Sequence, residues 1–367
     1  MIDRKILLVQ NIIAPYRIPV YNHIARKIKK FKVIFLAATH SNRQWDYSER
    51  DFAFDYEILR GASFFIQKFN WGLHFNLNIF RKLMKEDPDI VILTGYVSVA
   101  DWLALLYCKM FKKASVLWSG STLQSTRITK GPIHLLKKMF IRSVDAYLAY
   151  GSLAKEYLEF YGAQPEQIVT GCNTVDIRGF HEKIFALRGT LPSDATKTFI
   201  CIGQLIERKG IKELLEAFSL IGRDDYKLLI VGDGPLKGEL AAQAHLKKLP
   251  RVEFVGHKNY AELAHLMACA DVLIMPSLTE VWGLVVNEAL AGGLFVLASK
   301  YAGATRDLII EGLNGFPIDP RDIHGMARSI GRCFDLKPDR EAISKTIEKF
   351  TPEFYGECVL QAVSKTR

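Results

Sequence analysis

The sequence predicts an α/β protein built from two parallel-sheet domains, on three observations. Strand-like and helix-like segments alternate along most of the chain, the order that builds parallel sheets. Several strand-like runs, FKVIFLAA and DIVILT among them, are apolar at consecutive positions, as strands covered on both faces are. The 367 residues exceed what one ordinary core absorbs and suit two.

In the first half, 6–9 reads as a strand, a turn forms around Pro15, and a helix runs over 18–29. Strands follow at 32–37, 89–94, 114–118, 147–150 and 167–170, with helices over 99–110 and 133–143. A polar linker around 190–197 opens the second domain. Its strands are expected at 198–202, 227–231, 252–254, 272–275 and 295–298, with helices at 211–221, 236–246, 260–268 and 284–291. The tail over 339–365 reads as helical. The expected boundaries are 1–185 for the first domain and 190–345 for the second, with 346–367 crossing back to the first.

Composition is that of a globular protein, with 49% hydrophobic and 24% charged residues. The six cysteines form no CxxC pair and sit mostly in apolar surroundings, which reads as reduced thiols in a cytoplasmic protein and not as a zinc site. The start, MIDRKILLVQ, has too short an apolar run for a signal peptide. Charge is uneven: residues 1–180 hold 25 Lys and Arg against 15 Asp and Glu, while 181–367 hold 24 of each. A basic first half either meets an anionic partner, such as a membrane surface or a phosphorylated substrate, or is a solvated face. No nucleic-acid recognition module is visible.

Parallel sheets place ligands at the carboxyl ends of their strands, so those ends carry the candidate residues. The first strand of the second domain ends at Gly203-Gln204, and Arg208-Lys209 stand before the next helix. A basic turn at a helix start suits a diphosphate, or is a solvated turn. The turn VGDGP (231–235) reads as structural, with Pro235 in a first helical turn. Gly256 could present backbone groups to a flat base edge, and His257 is either a contact or a plain loop residue. In MPSLTEVWGLVVNEALAGG, Ser277 and Glu280 lie at a strand end, Gly283 and Leu284 open a helix, and Glu288 lies about a turn inside it. Carboxylates accept paired hydroxyl hydrogen bonds, so both glutamates suit sugar or ribose diols; the other reading is a local cap and a solvated side chain.

In the first domain the loop candidates are 11–17, 44–50, 94–97 and 118–125. Arg17, beside Tyr16, is the best cation for a phosphate, or packs against the turns at Pro15 and Pro19. Tyr96 and Trp118 either stack on sugar rings or are core edges. Ser119 and Gly120 adjoin them. The basic helix NHIARKIKKFK, the aromatic stretch over 64–75 and Lys130, Lys137 and Lys138 suit an anionic bilayer; the stretch could also be a helix packed under the sheet.

These motifs together resemble the retaining glycosyltransferases of family 4, the glycosyl transferases group 1. The E-x7-E element matches Glu280 and Glu288, ADVLIMPSLTEVWGLVVNEALAGGLFVLAS (270–299) matches the donor strand, loop and helix, and VGDGP and FVGHK recur. APYRIPVYNHIAR (14–26) is similar to the start of bacterial members that build surface polysaccharides, lipopolysaccharide and glycolipids. The resemblance implies the GT-B fold, two Rossmann-like domains with parallel sheets facing across a cleft. It also implies sugar transfer from a nucleotide-sugar to a saccharide or lipid-linked acceptor, commonly without a bound metal or other cofactor. Glu280 would hold the transferred sugar, Glu288 the ribose, Lys209 with Arg208 the diphosphate, and the backbone at Gly203, Gly283 and Leu284 the rest of the phosphate site. Gly256 and His257 would receive the base. Two departures stand out: Gln204 occupies the position of a usual arginine, and no histidine lies near 118–121. The alternatives are a nucleotide-sugar epimerase and a non-catalytic, donor-binding partner of a transferase.

Overall fold

A computed structural model describes residues 3–39, 47–66, 71–126, 130–191 and 196–366, with backbone alone at 62–66 and 71–73. Its contacts divide into two units: 1–172 with 352–367, and 173–351.

In the first unit, strand β1 (Ile6–Ile12) leads through helix α1 (Ile18–Lys27) to β2 (Phe31–Ala37) and β3 (Asp55–Ile58). A hairpin of β4 (Ala62–Ile66) and β5 (Trp71–Phe75) follows, then α2 (Ile79–Glu86), β6 (Ile90–Leu93), α3 (Val99–Met110), β7 (Ala114–Ser119), α4 (Pro132–Arg142), β8 (Ala146–Ala149), α5 (Ser152–Phe160) and β9 (Ile168–Thr170). The sheet runs β3-β2-β1-β6-β7-β8-β9 with every pair parallel. Strand alternation sends Leu7, Val9, Ile34, Val91 and Leu117 into one core and Ile6, Leu8, Val33, Ile90 and Val116 into another. Both faces are therefore covered, which is why these strands read as unbroken apolar runs. The stretch over 64–75, weighed as a helix under the sheet, is instead an antiparallel pair with Ala62 opposite Phe75; 67–70 lie outside the described residues.

The second unit begins with α6 (Ile177–Arg188), followed by β10 (Lys197–Ile202), α7 (Ile211–Ser219), β11 (Tyr226–Val231), α8 (Lys237–Leu246), β12 (Val252–Gly256) and α9 (Tyr260–Cys269). The chain continues through β13 (Val272–Met275), α10 (Leu284–Ala291), β14 (Phe295–Ser299), α11 (Gly303–Leu308), β15 (Gly315–Ile318), α12 (Ile323–Cys333) and α13 (Arg340–Lys345). The parallel order is β12-β11-β10-β13-β14-β15. Strand β15 eluded the sequence reading because Pro317 interrupts it, which an edge position tolerates.

Helix α6 belongs to this second unit, although the expected boundary put most of it in the first. The Arg188 guanidinium donates to the carbonyl oxygens of Met267 and Ala268 at 3.1 Å and Gly292 at 2.8 Å. These are orphan acceptors at the ends of α9 and α10, which a cation satisfies. The last helix, α14 (Pro352–Ser364), packs in the first unit, where Tyr355, Val359 and Val363 join the core beside Ile18 and Ile24. No helix among the described residues is long and apolar enough to cross a membrane.

Candidate active site

The chain leaves β10 toward β11 on one side and returns to β13 on the other, so the sheet order reverses between β10 and β13. At such a switch point the two following loops diverge and leave a crevice at the strands' carboxyl ends. The loops here are 203–210 and 276–283, the two segments that carry the basic turn and the first glutamate.

The loops are tied together by backbone. Leu278 donates its N–H to the carbonyl of Arg208 at 2.8 Å. Gly210, at φ +67°, turns into α7, and a Cβ there would stand 1.9 Å from the Pro276 carbonyl oxygen. Only glycine permits both the conformation and the approach. The VGDGP turn supports the same loop from beneath, with Leu205 donating to the Asp233 carbonyl and Leu236 to that of Leu205. Gly232 donates to the carbonyl of Gly256 at 2.8 Å, which ties the end of β11 to the end of β12.

Three charged groups converge on this scaffold. The Lys209 ammonium pairs with the Glu280 carboxylate, and Arg208 Nη1 stands 3.4 Å from the same oxygen. Adjacent side chains usually diverge, but the 3-10 turn over Glu207–Lys209 and the bond from Leu278 aim both at Glu280. The Glu280 side chain is only 13% exposed. Burial acts to raise its pKa, but the charges of Lys209 and Arg208 outweigh it and hold the carboxyl below its ordinary value. The Lys209 chain lies along Gly203, whose Cβ position is 3.5 Å from Cε. Gln204 is half-buried beside it and brings no charge.

Helix α10 starts from Gly283 at φ +97°, with no side chain capping its first turn. A Cβ on Gly283 would lie 2.7 Å from Met275 Sδ, so the helix start sits tightly on the end of β13. Two residues after that strand Ser277 is fully buried, and neither its Oγ nor the buried Nε of Arg208 has a partner among the described residues. Uncapped N–H groups, a free hydroxyl and two cations make a cradle for an anion. Glu288 stands apart from this cluster in the second turn of α10, near Tyr260. Burial, with no cation to offset it, pushes its carboxyl up to about 7. His257 is exposed and Gly256 has φ +80° with open space around it.

Two residues escaped the sequence reading. Asn287, fully buried in α10, accepts from Trp282 Nε1 at 2.9 Å and donates to the Asn173 carbonyl at 3.1 Å. Together Asn287 and Trp282 fix the second half of the glutamate loop. The available signal was a lone amide inside the apolar run LVVNEALA, since a buried amide demands partners.

In the first unit the sheet order reverses between β1 and β6, beside the loops 13–17 and 94–98. Arg17 is 2% exposed. Its guanidinium lies 4.3 Å from the Trp118 ring centre and 4.8 Å from that of Tyr150, and Nη2 donates to the Tyr150 hydroxyl. Tyr16 is 5.7 Å away on the same loop. Trp118 is fully buried and donates to the Tyr355 hydroxyl at 2.6 Å, so of its two readings the core one stands. Ser119 is buried, and Gly120 packs on the Tyr150 ring. Tyr96 is half-buried, with its hydroxyl 2.6 Å from Ser121 and 2.8 Å from Tyr157.

Residues 185–350 match the family model of the glycosyl transferases group 1. Among curated proteins, the chain is 28% identical over 238 residues to a glycogen synthase of Mycobacterium tuberculosis, covering 64% of this chain and 56% of that one. It is 33% identical over 178 residues to a GDP-mannose-dependent alpha-mannosyltransferase of Corynebacterium glutamicum, covering 48% and 40%. The chain thus spans about half the length of these relatives. Two solved structures share the fold across 98% of this chain: Anabaena HepE in complex with UDP (TM-score 0.73, 18% identity, 98% of that chain) and the lipopolysaccharide outer core galactosyltransferase WaaB (0.75, 19%, 99%). The two parallel-sheet units are those of the GT-B fold.

Proposed function

From a second unit that carries the glycosyl transferases group 1 match, we propose that this protein transfers a sugar from a nucleotide-sugar to a saccharide or lipid-linked saccharide acceptor, with retention of anomeric configuration. The observation that carries the reading is the convergence of Lys209 and Arg208 on Glu280 at the switch point between β10 and β13. The two cations share one carboxylate. When a donor enters, its hydroxyls take Glu280 and its diphosphate takes the cations, so both halves of the ion pair find new partners in one step. Negative charge then builds on the diphosphate as the bond to the sugar breaks, and Lys209, Arg208, Ser277 Oγ and the N–H groups at Gly283 and Leu284 stabilise it. Arg208 supplies the second positive charge that Gln204 lacks. Glu288 binds the ribose, and the backbone at Gly256 with His257 receives the base.

The acceptor side is assigned to the first unit, at Tyr16, Arg17, Tyr96, Ser119 and Gly120. A peripheral membrane role for this unit draws support from α4, where Ile133, Leu135, Leu136 and Met139 are exposed near Lys130 and Lys138. The basic residues of α1 are exposed as well, whereas its apolar side is spent on the core. An apolar stripe with flanking cations suits an anionic cytoplasmic leaflet.

Turnover of UDP-, GDP- and TDP-sugars with and without saccharide acceptors tests the reading. The panel includes UDP, bound in the HepE complex, and GDP, the nucleotide in the name of the Corynebacterium relative. Acceptor-dependent release of nucleotide is the expected result. Interconversion of the donor without acceptor would point to an epimerase, and tight donor binding without turnover to a binding subunit.

A further inference from the structure

We propose that Arg17 forms the floor of an oxyanion subsite in the first unit, for an acceptor that carries a phosphate or carboxylate group; its assignment to the acceptor rests on the transferase reading. The guanidinium is buried, yet the groups that face it are Trp118 and the four tyrosines Tyr16, Tyr21, Tyr150 and Tyr355, with no carboxylate among them. Nη2 has the Tyr150 hydroxyl, and Nη1 has no acceptor at all among the described residues. A buried cation without a counter-ion is costly, and proteins nearly always pair it. Ring faces offset part of that cost but leave the in-plane N–H groups unanswered. Stacking on Trp118 and Tyr150 fixes the plane of the guanidinium, which is the preorganisation a planar fork needs to take an oxyanion.

Position gives independent support. Arg17 follows β1 at the point where the order of this sheet reverses, so it stands where a parallel sheet receives ligands. The shell around it reaches the surface at Tyr16, Tyr150 and Gly120, all half-buried. Asn11, on the same strand end, also has a buried Oδ1 without a partner among the described residues, which can accept from the hydroxyl of a protonated oxyanion or of the sugar that bears it.

Thermal unfolding of the full chain with inorganic phosphate or acetate, against chloride at matched ionic strength, tests the subsite. Wild type should gain about 2 °C in one or both anions, and which one responds separates phosphate from carboxylate. Arg17→Met should melt no lower than wild type in chloride, because it removes a buried charge unpaired among the described residues, and should lose the part of the anion response that does not depend on Lys209. Arg17→Lys should keep at most part of it, and Lys209→Met, which disables the anion cradle of the second unit, should keep the part owed to Arg17. An Arg17→Met protein that melts lower in every buffer, with a wild type indifferent to both anions, overturns the proposal in favour of a structural stack. A fall in nucleotide-sugar affinity in Arg17→Met overturns the assignment to the acceptor. Binding of UDP, GDP and TDP on the same samples reports the second unit separately: absence of all three, with the anion response intact, would sink the donor reading and leave the subsite standing.

Discussion

At the level of single residues, the two glutamates are chemically distinct although they share one motif. Glu280 is held ionised by two cations, whereas Glu288 is raised to about 7 by burial. Their pH signatures therefore run in opposite directions. Glu280 contributes stability above the ordinary carboxyl value, lost as pH falls through its depressed folded value. Glu288 binds its proton more tightly when folded, so on its account stability falls as pH rises from 4.5 to about 7. Urea midpoints measured across pH 4–8 should show that decline in wild type and lose it in Glu288→Gln. In binding and turnover, Glu280→Ala should retain most nucleotide affinity and lose transfer, whereas Glu288→Ala should weaken nucleotide binding more. Lys209→Met should lower kcat by roughly 10²–10³-fold, the usual loss when a charge-stabilising donor is removed. If both glutamate variants bind and react like wild type, the site lies elsewhere.

Among elements, the loops matter more than the helices they join. Gly210→Ala would drive a methyl group into the Pro276 carbonyl and force a residue with a side chain into the left-handed region. We expect a loss of about 3 kcal/mol in chemical denaturation, with nucleotide affinity lost alongside because the Arg208–Leu278 bond would be displaced. Gly331, inside α12 with open space at its Cβ position, supplies the control. Gly331→Ala should gain about 0.5–1 kcal/mol by helix propensity. Helix α4 carries the membrane question. Leu135 is 65% exposed there, and Leu135→Asp should reduce co-sedimentation with anionic vesicles without shifting the melting temperature. Equal sedimentation of both forms would remove α4 from any membrane contact.

At the scale of the whole chain, the first unit is discontinuous in sequence, since 352–367 return to it. Truncation after Thr351 would strip Tyr355, Cys358, Val359 and Val363 from its core and leave the Trp118 indole without its buried acceptor. Calorimetry should then show the first unit melting earlier, while whichever nucleotide-sugar binds the full chain still shifts the transition of the second. Much of this architecture was legible in the chain. Apolar runs such as FKVIFLAA declare strands covered on both faces, and Lys209 and Glu280 lie, as read from the chain, in the loops that follow β10 and β13. Those signals are local, because side-chain periodicity and turn chemistry act over a few residues. What escaped had to be settled by distant partners. Helix α6 was drawn into the second unit by carbonyl groups some 80 to 100 residues away that Arg188 satisfies. Arg208 could have pointed to solvent, but its carbonyl takes the N–H groups of Leu278 and Thr279 and its guanidinium stands beside Glu280. Trp118, read as either a sugar platform or a core edge, became core because Tyr355, 237 positions later, accepts its indole N–H. Sequence sets the alternation of strands and helices and the charges at their ends; which groups meet, and so which cations remain unpaired, depends on long-range packing and the hydrogen bonds that burial requires.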